Sequence, residues 1–154
     1  MKERLPYAKV APEGFAALFG LSKYVHHGAI EPKLLLLVEM RASQINGCAY
    51  CIDMHSQDAR VGGETEQRLY ALNAWRETPF FSDRERAALA WTEAVTLISH
   101  THAPDEVYDE ARKQFSEKEL VDLTLAIAAI NAWNRIAISF RSVPGVYKPG
   151  AAKL

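Results

Sequence analysis

The chain has 154 residues, 49% of them hydrophobic and 24% charged, with a formal net charge of −1. That length fits one domain, residues 1–154, with a real core, and the composition is far from that of a disordered chain. The near-zero charge gives no electrostatic case for nucleic acid or for an anionic membrane as a partner.

The start, Met1-Lys2-Glu3-Arg4, carries both charge signs and lacks the apolar run of a signal peptide. A cytoplasmic location is expected, where a close cysteine pair is catalytic or metal-binding sooner than a structural staple. Residues 1–11 read as irregular cover lying over something larger. Pro12 suits the first position of a helix whose apolar face, Phe15, Leu18, Phe19, Leu21 and Tyr24, runs up to Gly28. His26 and His27 fall at its C-terminus, where imidazoles oppose the helix dipole. That structural role is the expectation for both, ahead of a metal.

Glu31-Pro32 opens a second helix to about Gln44. Leu34 to Val38 are apolar in succession, so this helix needs cover on several sides, from neighbouring helices or a partner subunit. Glu39 interrupts the run. Two readings stand side by side: a pair with Arg41 or Arg60, or a carboxylate in a proton relay near His55.

Next comes Ser43-Gln44-Ile45-Asn46-Gly47-Cys48-Ala49-Tyr50-Cys51-Ile52-Asp53-Met54-His55, which holds both cysteines of the chain. Asn46-Gly47 is a turn, and Cys48 to Val61 reads as a helix, with no Gly or Pro before Gly62-Gly63. At about 100° per residue Cys48, Cys51 and His55 share a face and Tyr50 points away. The helix N-terminus beside the sulfurs lowers a thiol pKa, and His55 can take the thiol proton directly or through a water. This is a dithiol redox centre with its own base. The helix terminus favours Cys48 as the attacking sulfur and proximity to His55 favours Cys51; the histidine decides for Cys51.

Further on, Thr65 caps a helix over Glu66 to Trp75, and Glu77 to Phe81 is a loop. Ser82-x-x-Glu85 is a capping box opening a helix to about Ser99, with Leu89, Trp91 and Val95 as core. Glu93, set among apolar neighbours, is a second candidate for orienting His55. His100-x-His102 lies in a turn; together with the cysteines it could complete a zinc site, a minor alternative because the spacing is not that of a zinc finger. Pro104-Asp105-Glu106 opens a helix to about Phe115. Ser116-x-x-Glu119 is a second capping box, launching a last helix to about Phe140 that is apolar and thin. Its Asn131, Trp133 and Asn134 need partners if buried, and they argue against a membrane span. After Val143-Pro144-Gly145 the tail is expected to be mobile. With no strand alternation, no phosphate loop and no repeat, the expected fold is all-α, with six or seven helices.

The stretch Ser43 to Gly47, Cys48-x-Tyr50-Cys51-x-x-x-His55 and Ala59-Arg60 resembles the signature of the alkylhydroperoxidase AhpD / carboxymuconolactone decarboxylase family. The resemblance continues through Leu89 to Ala94 and Asn131-Ala132-Trp133-Asn134. It implies an all-helical AhpD-like fold assembled as a homo-oligomer (dimer, trimer or hexamer). It also implies a dithiol peroxidase that reduces alkyl hydroperoxides without a cofactor or metal. The implied partners are the hydroperoxide substrate and a lipoyl or thioredoxin-like dithiol donor. Cys51 matches the peroxidatic cysteine of the family, Cys48 its disulfide partner and His55 the relay histidine. Two positions depart: Tyr50 stands where AhpD proper has a histidine, and the relay glutamate falls on Leu36, leaving Glu39 or Glu93 to serve. The alternatives are a decarboxylase of muconolactone-type acids, which calls for convergent Arg or His (Arg41, Arg60 and Arg135 are available), and a non-catalytic thiol redox sensor.

Overall fold

The computed structural model describes residues 2–150, and the described residues form helices and no strand. In chain order the helices are α1 (Tyr7–Val10), α2 (Pro12–His26), α3 (Pro32–Asn46), α4 (Ala49–Val61) and α5 (Glu66–Ala71). A 3-10 segment (Leu72–Glu77) follows, then α6 (Asp83–Thr96), α7 (Ile98–Thr101), α8 (Asp105–Gln114) and α9 (Glu117–Phe140). The seven longer elements fall where the periodicity and caps place them. Residues 7–10 add one helical turn to a stretch expected to be irregular. The helix expected over Glu66 to Trp75 tightens to 3-10 geometry after Ala71, with Ala74 off helical angles at φ −116°.

Both capping boxes are made. Ser82 Oγ accepts from the Glu85 amide at 3.3 Å while Glu85 returns a carboxylate to the Ser82 amide at 2.8 Å. Ser116 and Glu119 repeat this at the head of α9. Each box satisfies amides that a helix start leaves without partners.

The centre of the fold is α3, which packs against α4, α6 and α9. The apolar run explains this: Leu35, Leu37 and Val38 are fully buried on different sides, so three neighbours are needed to cover them. Each such leucine contributes about 1.5–3 kcal/mol through burial. By length and hydropathy α9 could span a bilayer. Here it is a core helix, in which Ala126, Ala129 and Ala137 are buried against neighbours and Asp122, Asn131 and Asn134 are buried with polar partners.

The apolar face of α2 borders open space: Phe15 and Phe19 are half-buried and form part of a cavity wall, and Tyr24 is exposed. One expectation about the edges is corrected. The tail is not loose through residue 150. The Gly145 amide donates to Asp53 at 2.8 Å, and the Tyr147 hydroxyl donates to the Asp58 carboxylate at 2.8 Å, so the segment straps across α4.

Candidate functional site

The turn before the cysteines is fixed first. Gly47, at φ +68°, closes α3 in the left-handed conformation. Its amide donates to Gln44 O at 3.2 Å and the Cys48 amide donates to Ser43 O at 3.0 Å, the two bonds of a Schellman motif. From the helix end, Asn46 Nδ2 donates to Asn131 Oδ1 at 3.0 Å and to Asn134 Oδ1 at 2.8 Å. Asn134 in turn donates to Ser43 Oγ at 3.1 Å. The Asn-Ala-Trp-Asn stretch of α9 is therefore a clamp on the turn that delivers Cys48.

Cys48 is the N-cap of α4, its sulfur accepting from the Cys51 amide at 3.3 Å. The two cysteines form a disulfide with a Cα–Cα separation of 5.3 Å. Both are buried, so Cys48 is not the more accessible sulfur that its N-terminal position suggests. Cys51 borders a cavity of about 410 Å³, and Cys48, backed by Ala137, does not. His55, one turn beyond Cys51, lines the same cavity. Tyr50, expected to point away, is half-buried in the wall as well.

Glu39 comes to the site from α3. Its Oε2 lies 3.4 Å from His55 Nδ1, and its Oε1 lies 2.8 Å from Nε2 of His26, at the end of α2. Pairing with Arg41 or Arg60, the competing expectation, is corrected. Arg41 turns to Glu93, while Arg60 reaches the carbonyl of Glu64 and, at 3.4 Å, the carboxylate of Glu66. Burial pushes the Glu39 carboxyl up, but the charge of His55 and the hydrogen bond and charge of His26 outweigh it and hold the pKa below the usual range. The His26 imidazole is raised, first by its hydrogen bond to Glu39 against the opposing effect of burial, then by the charges of Glu39 and Asp58.

Glu93 is not beside His55, and its expected orienting role is corrected. Its carboxylate accepts from Trp75 Nε1 at 2.9 Å, pairs with Arg41 at 2.7 Å and is held by Arg76 as well. Of the two glutamates, only Glu39 lies within ion-pair distance of His55.

His26 was missed as part of the site. The signal read from it, a histidine at a helix end, applies to its neighbour: His27 Nδ1 contacts Lys23 O at 2.8 Å, a local cap. His26 lies one residue earlier and so faces inward to α3. His100 and His102 are exposed on the α7 turn. Among the described residues no cluster of three or more His, Cys, Asp or Glu is placed to hold a metal.

The rest of the cavity wall is mostly aromatic and apolar, with Tyr7, Phe15, Phe19, Trp133, Leu36 and Met54 prominent. Trp133 is fixed by an indole N–H bond to Ser22 at 2.7 Å and by an edge-on contact with Phe15. Among the described residues no Arg or Lys lines it, and Asp58 adds a second acid beside Glu39. The strapped tail contributes Tyr147.

An all-helical frame presenting a Cys-x-x-Cys pair with a histidine one turn on, against an apolar cavity, defines an AhpD-like protein. The profile of the carboxymuconolactone decarboxylase family matches residues 12–94. The chain belongs to that family. It is 47% identical over 139 residues to the uncharacterized protein YdfG of Bacillus subtilis, covering 90% of this chain and 95% of that one. It superposes with a TM-score of 0.92 and 46% identity on a crystal structure from Agrobacterium tumefaciens, over 95% of this chain and 100% of that one. That protein is of unknown function and is named as a candidate antioxidant defence protein AhpD. The debrominase Bmp8, in a Cys→Ala variant complexed with 2,3,4-tribromopyrrole, is also similar. The TM-score is 0.80 and the identity 25%, over 90% of this chain and 74% of that one. At the level these likenesses reach, the role is peroxidase-related or decarboxylase-like.

Proposed function

We propose that this protein is a dithiol peroxidase that reduces organic hydroperoxides with Cys51 as the attacking sulfur. The observation that carries the reading is the placement of Cys51 and His55 together on one cavity wall, with Glu39 behind the imidazole. In the reduced protein His55 takes the Cys51 proton, and the thiolate attacks the outer peroxide oxygen. The O–O bond breaks, Cys51 becomes a sulfenic acid, and the alkoxide leaves as the alcohol with the proton from His55. Cys48 then attacks the sulfenic sulfur, water leaves, and the disulfide forms. A small dithiol, lipoyl or thioredoxin-like, returns two electrons and two protons. The reading carries with it a reducing, cytoplasmic setting and a homo-oligomer.

The wall composition supports neutral apolar peroxides. It disfavours the decarboxylase alternative, since a carboxylated substrate would meet Glu39 and Asp58 with no arginine to receive it. Arg41 and Arg60 are committed to glutamates and Arg135 to Asn131. The same dithiol supports a second reaction, removal of bromine from a small aromatic ring. The aromatic wall and the likeness to Bmp8 favour it. There the two thiols become the disulfide, and the ring exchanges bromine for hydrogen with release of bromide.

The test is turnover. Reduced protein with dihydrolipoamide in excess should consume cumene hydroperoxide catalytically, and Cys51→Ser should not. Bromide release from tribromopyrrole without peroxide turnover would replace this reading with the second. Decarboxylation of a muconolactone by the Cys48→Ser/Cys51→Ser double variant would replace both.

A further inference from the structure

Among the described residues, Glu39 is surrounded by two imidazoles and no permanent cation. Within ion-pair distance among the described residues it has His26 and His55, and nothing from Lys or Arg. An unpaired carboxylate in that position would cost several kcal/mol. One proton shared over two imidazoles therefore neutralises it, and where that proton sits decides what His55 can do.

The geometry favours His26. It holds the shorter contact, 2.8 Å against 3.4 Å. Its side chain is 20% exposed, whereas those of His55 and Glu39 are 7% and 8% exposed, so His26 is the ring with access to bulk protons. The other ionisable groups of the cavity wall reinforce this: Asp58 on α4, and Tyr147 on the tail, whose hydroxyl is engaged by Asp58. On its own helix Lys23, Tyr24 and His27 are exposed to solvent, and Tyr7 and Tyr50 are the remaining ionisable groups of the wall besides the cysteine and the histidines. A second acid thus acts on His26 as an attractive charge.

We propose that His26 is a positioning residue of the dithiol centre: held as an imidazolium on Glu39, it balances the carboxylate and leaves His55 free to exchange a proton with Cys51. The proposal rests on the reading of Cys51 as the reactive thiol and His55 as its base. With His26 charged, the thiolate–His55 imidazolium pair forms in a locally neutral setting. With His26 uncharged, the carboxylate's charge falls on His55 and holds a proton there, so His55 no longer takes the Cys51 proton and already stands as an imidazolium beside the sulfur.

The experiment uses the thiol itself. In the Cys48→Ser background, the pH dependence of Cys51 alkylation by iodoacetamide is compared for His26 and His26→Gln, since glutamine keeps an N–H donor toward Glu39 without the charge. The expected result is a thiol pKa lower by about one unit and alkylation faster by up to about tenfold near neutral pH, with the helical fold retained by circular dichroism. An unchanged thiol titration in folded His26→Gln would overturn the proposal. Imidazole NMR titration of reduced wild-type protein tests it without that variant. His26 protonated and His55 neutral near neutral pH supports it; the reverse overturns it. Neither readout uses peroxide. Charge-coupled alkylation in a protein that ignores hydroperoxides would therefore keep the role of His26 and reject the peroxidase.

Discussion

Glu39 and Glu93 are both carboxylates set among apolar helices, and their surroundings differ in kind. Glu93 accepts from an indole and faces two guanidiniums, all of them donors at any physiological pH. Glu39 faces two imidazoles, side chains whose charge depends on a proton, and both line a cavity. A carboxylate locked by arginines ties elements together: Glu93 joins α6 to Arg41 of α3 and to Trp75 and Arg76 of the 3-10 segment. One balanced by histidines can store and move a proton. The partners, more than the burial, separate a structural acid from a reactive one.

The comparison is sharpened most strongly at the sulfur that the Glu39 region serves. Cys51→Ser should slow oxidation by cumene hydroperoxide more than about a thousandfold, read by stopped-flow tryptophan fluorescence, because the nucleophile is gone. Glu39→Gln should slow it about 10- to 100-fold near neutral pH while leaving the fold intact. Glu93→Gln should do the opposite. Loss of about 1–3 kcal/mol in urea unfolding is expected, from two guanidiniums and an indole left short of an anion, with the oxidation rate of the folded protein within about twofold of wild type. Equal kinetic effects from the two variants would break the distinction.

Stability against pH separates the same two regions. Burial raises the Glu93 carboxyl, but bonds from Trp75, Arg76 and Arg41 more than offset this, so its folded pKa is lowered. Its contribution is fully present above the unfolded carboxylate value of about 4.3 and is lost as pH falls through the lowered one. The folded pKa of His26 is raised. Its contribution is fully present below about 6.5 and is lost as pH rises through the raised value. Denaturation midpoints should therefore fall at both ends. His26→Gln should flatten the alkaline fall and Glu93→Gln should reduce the acid one.

Much of this was legible from the residues. Capping boxes and Pro-started helices placed α2, α3, α6 and α9, because those signals act within one turn of chain. The Asn-Gly turn, the cysteine pair and His55 lie within a dozen residues, so their shared face followed from helical spacing alone. What failed was what depends on distant packing. Glu39 and Glu93 look alike in sequence, and only the crossing of α3 with α4 and α6 assigns one to His55 and the other to Arg41. His26 and His27 are adjacent, and their opposite fates turn on which side of α2 meets α3. The tail's strap depends on Asp53 and Asp58, some 90 residues earlier, which no local pattern announces.

A smaller effect is expected at the turn itself. No side-chain or backbone atom would obstruct a Cβ at Gly47, so Gly47→Ala isolates the cost of its positive φ, about 1 kcal/mol. Thermal unfolding reads that cost, and slower closure of the Cys48–Cys51 disulfide should accompany it.

The most direct measurement of the central claim is mass-spectrometric thiol trapping of reduced protein after one equivalent of cumene hydroperoxide. Wild type, Cys48→Ser and Cys51→Ser are run side by side. The expected result is a rapid Cys48–Cys51 disulfide in wild type, a trapped sulfenic acid on Cys51 in Cys48→Ser, and unreacted thiol in Cys51→Ser. Sulfenic acid forming on Cys48 in Cys51→Ser instead would contradict the assignment of Cys51, and thiols that stay reduced in all three would contradict the peroxidase.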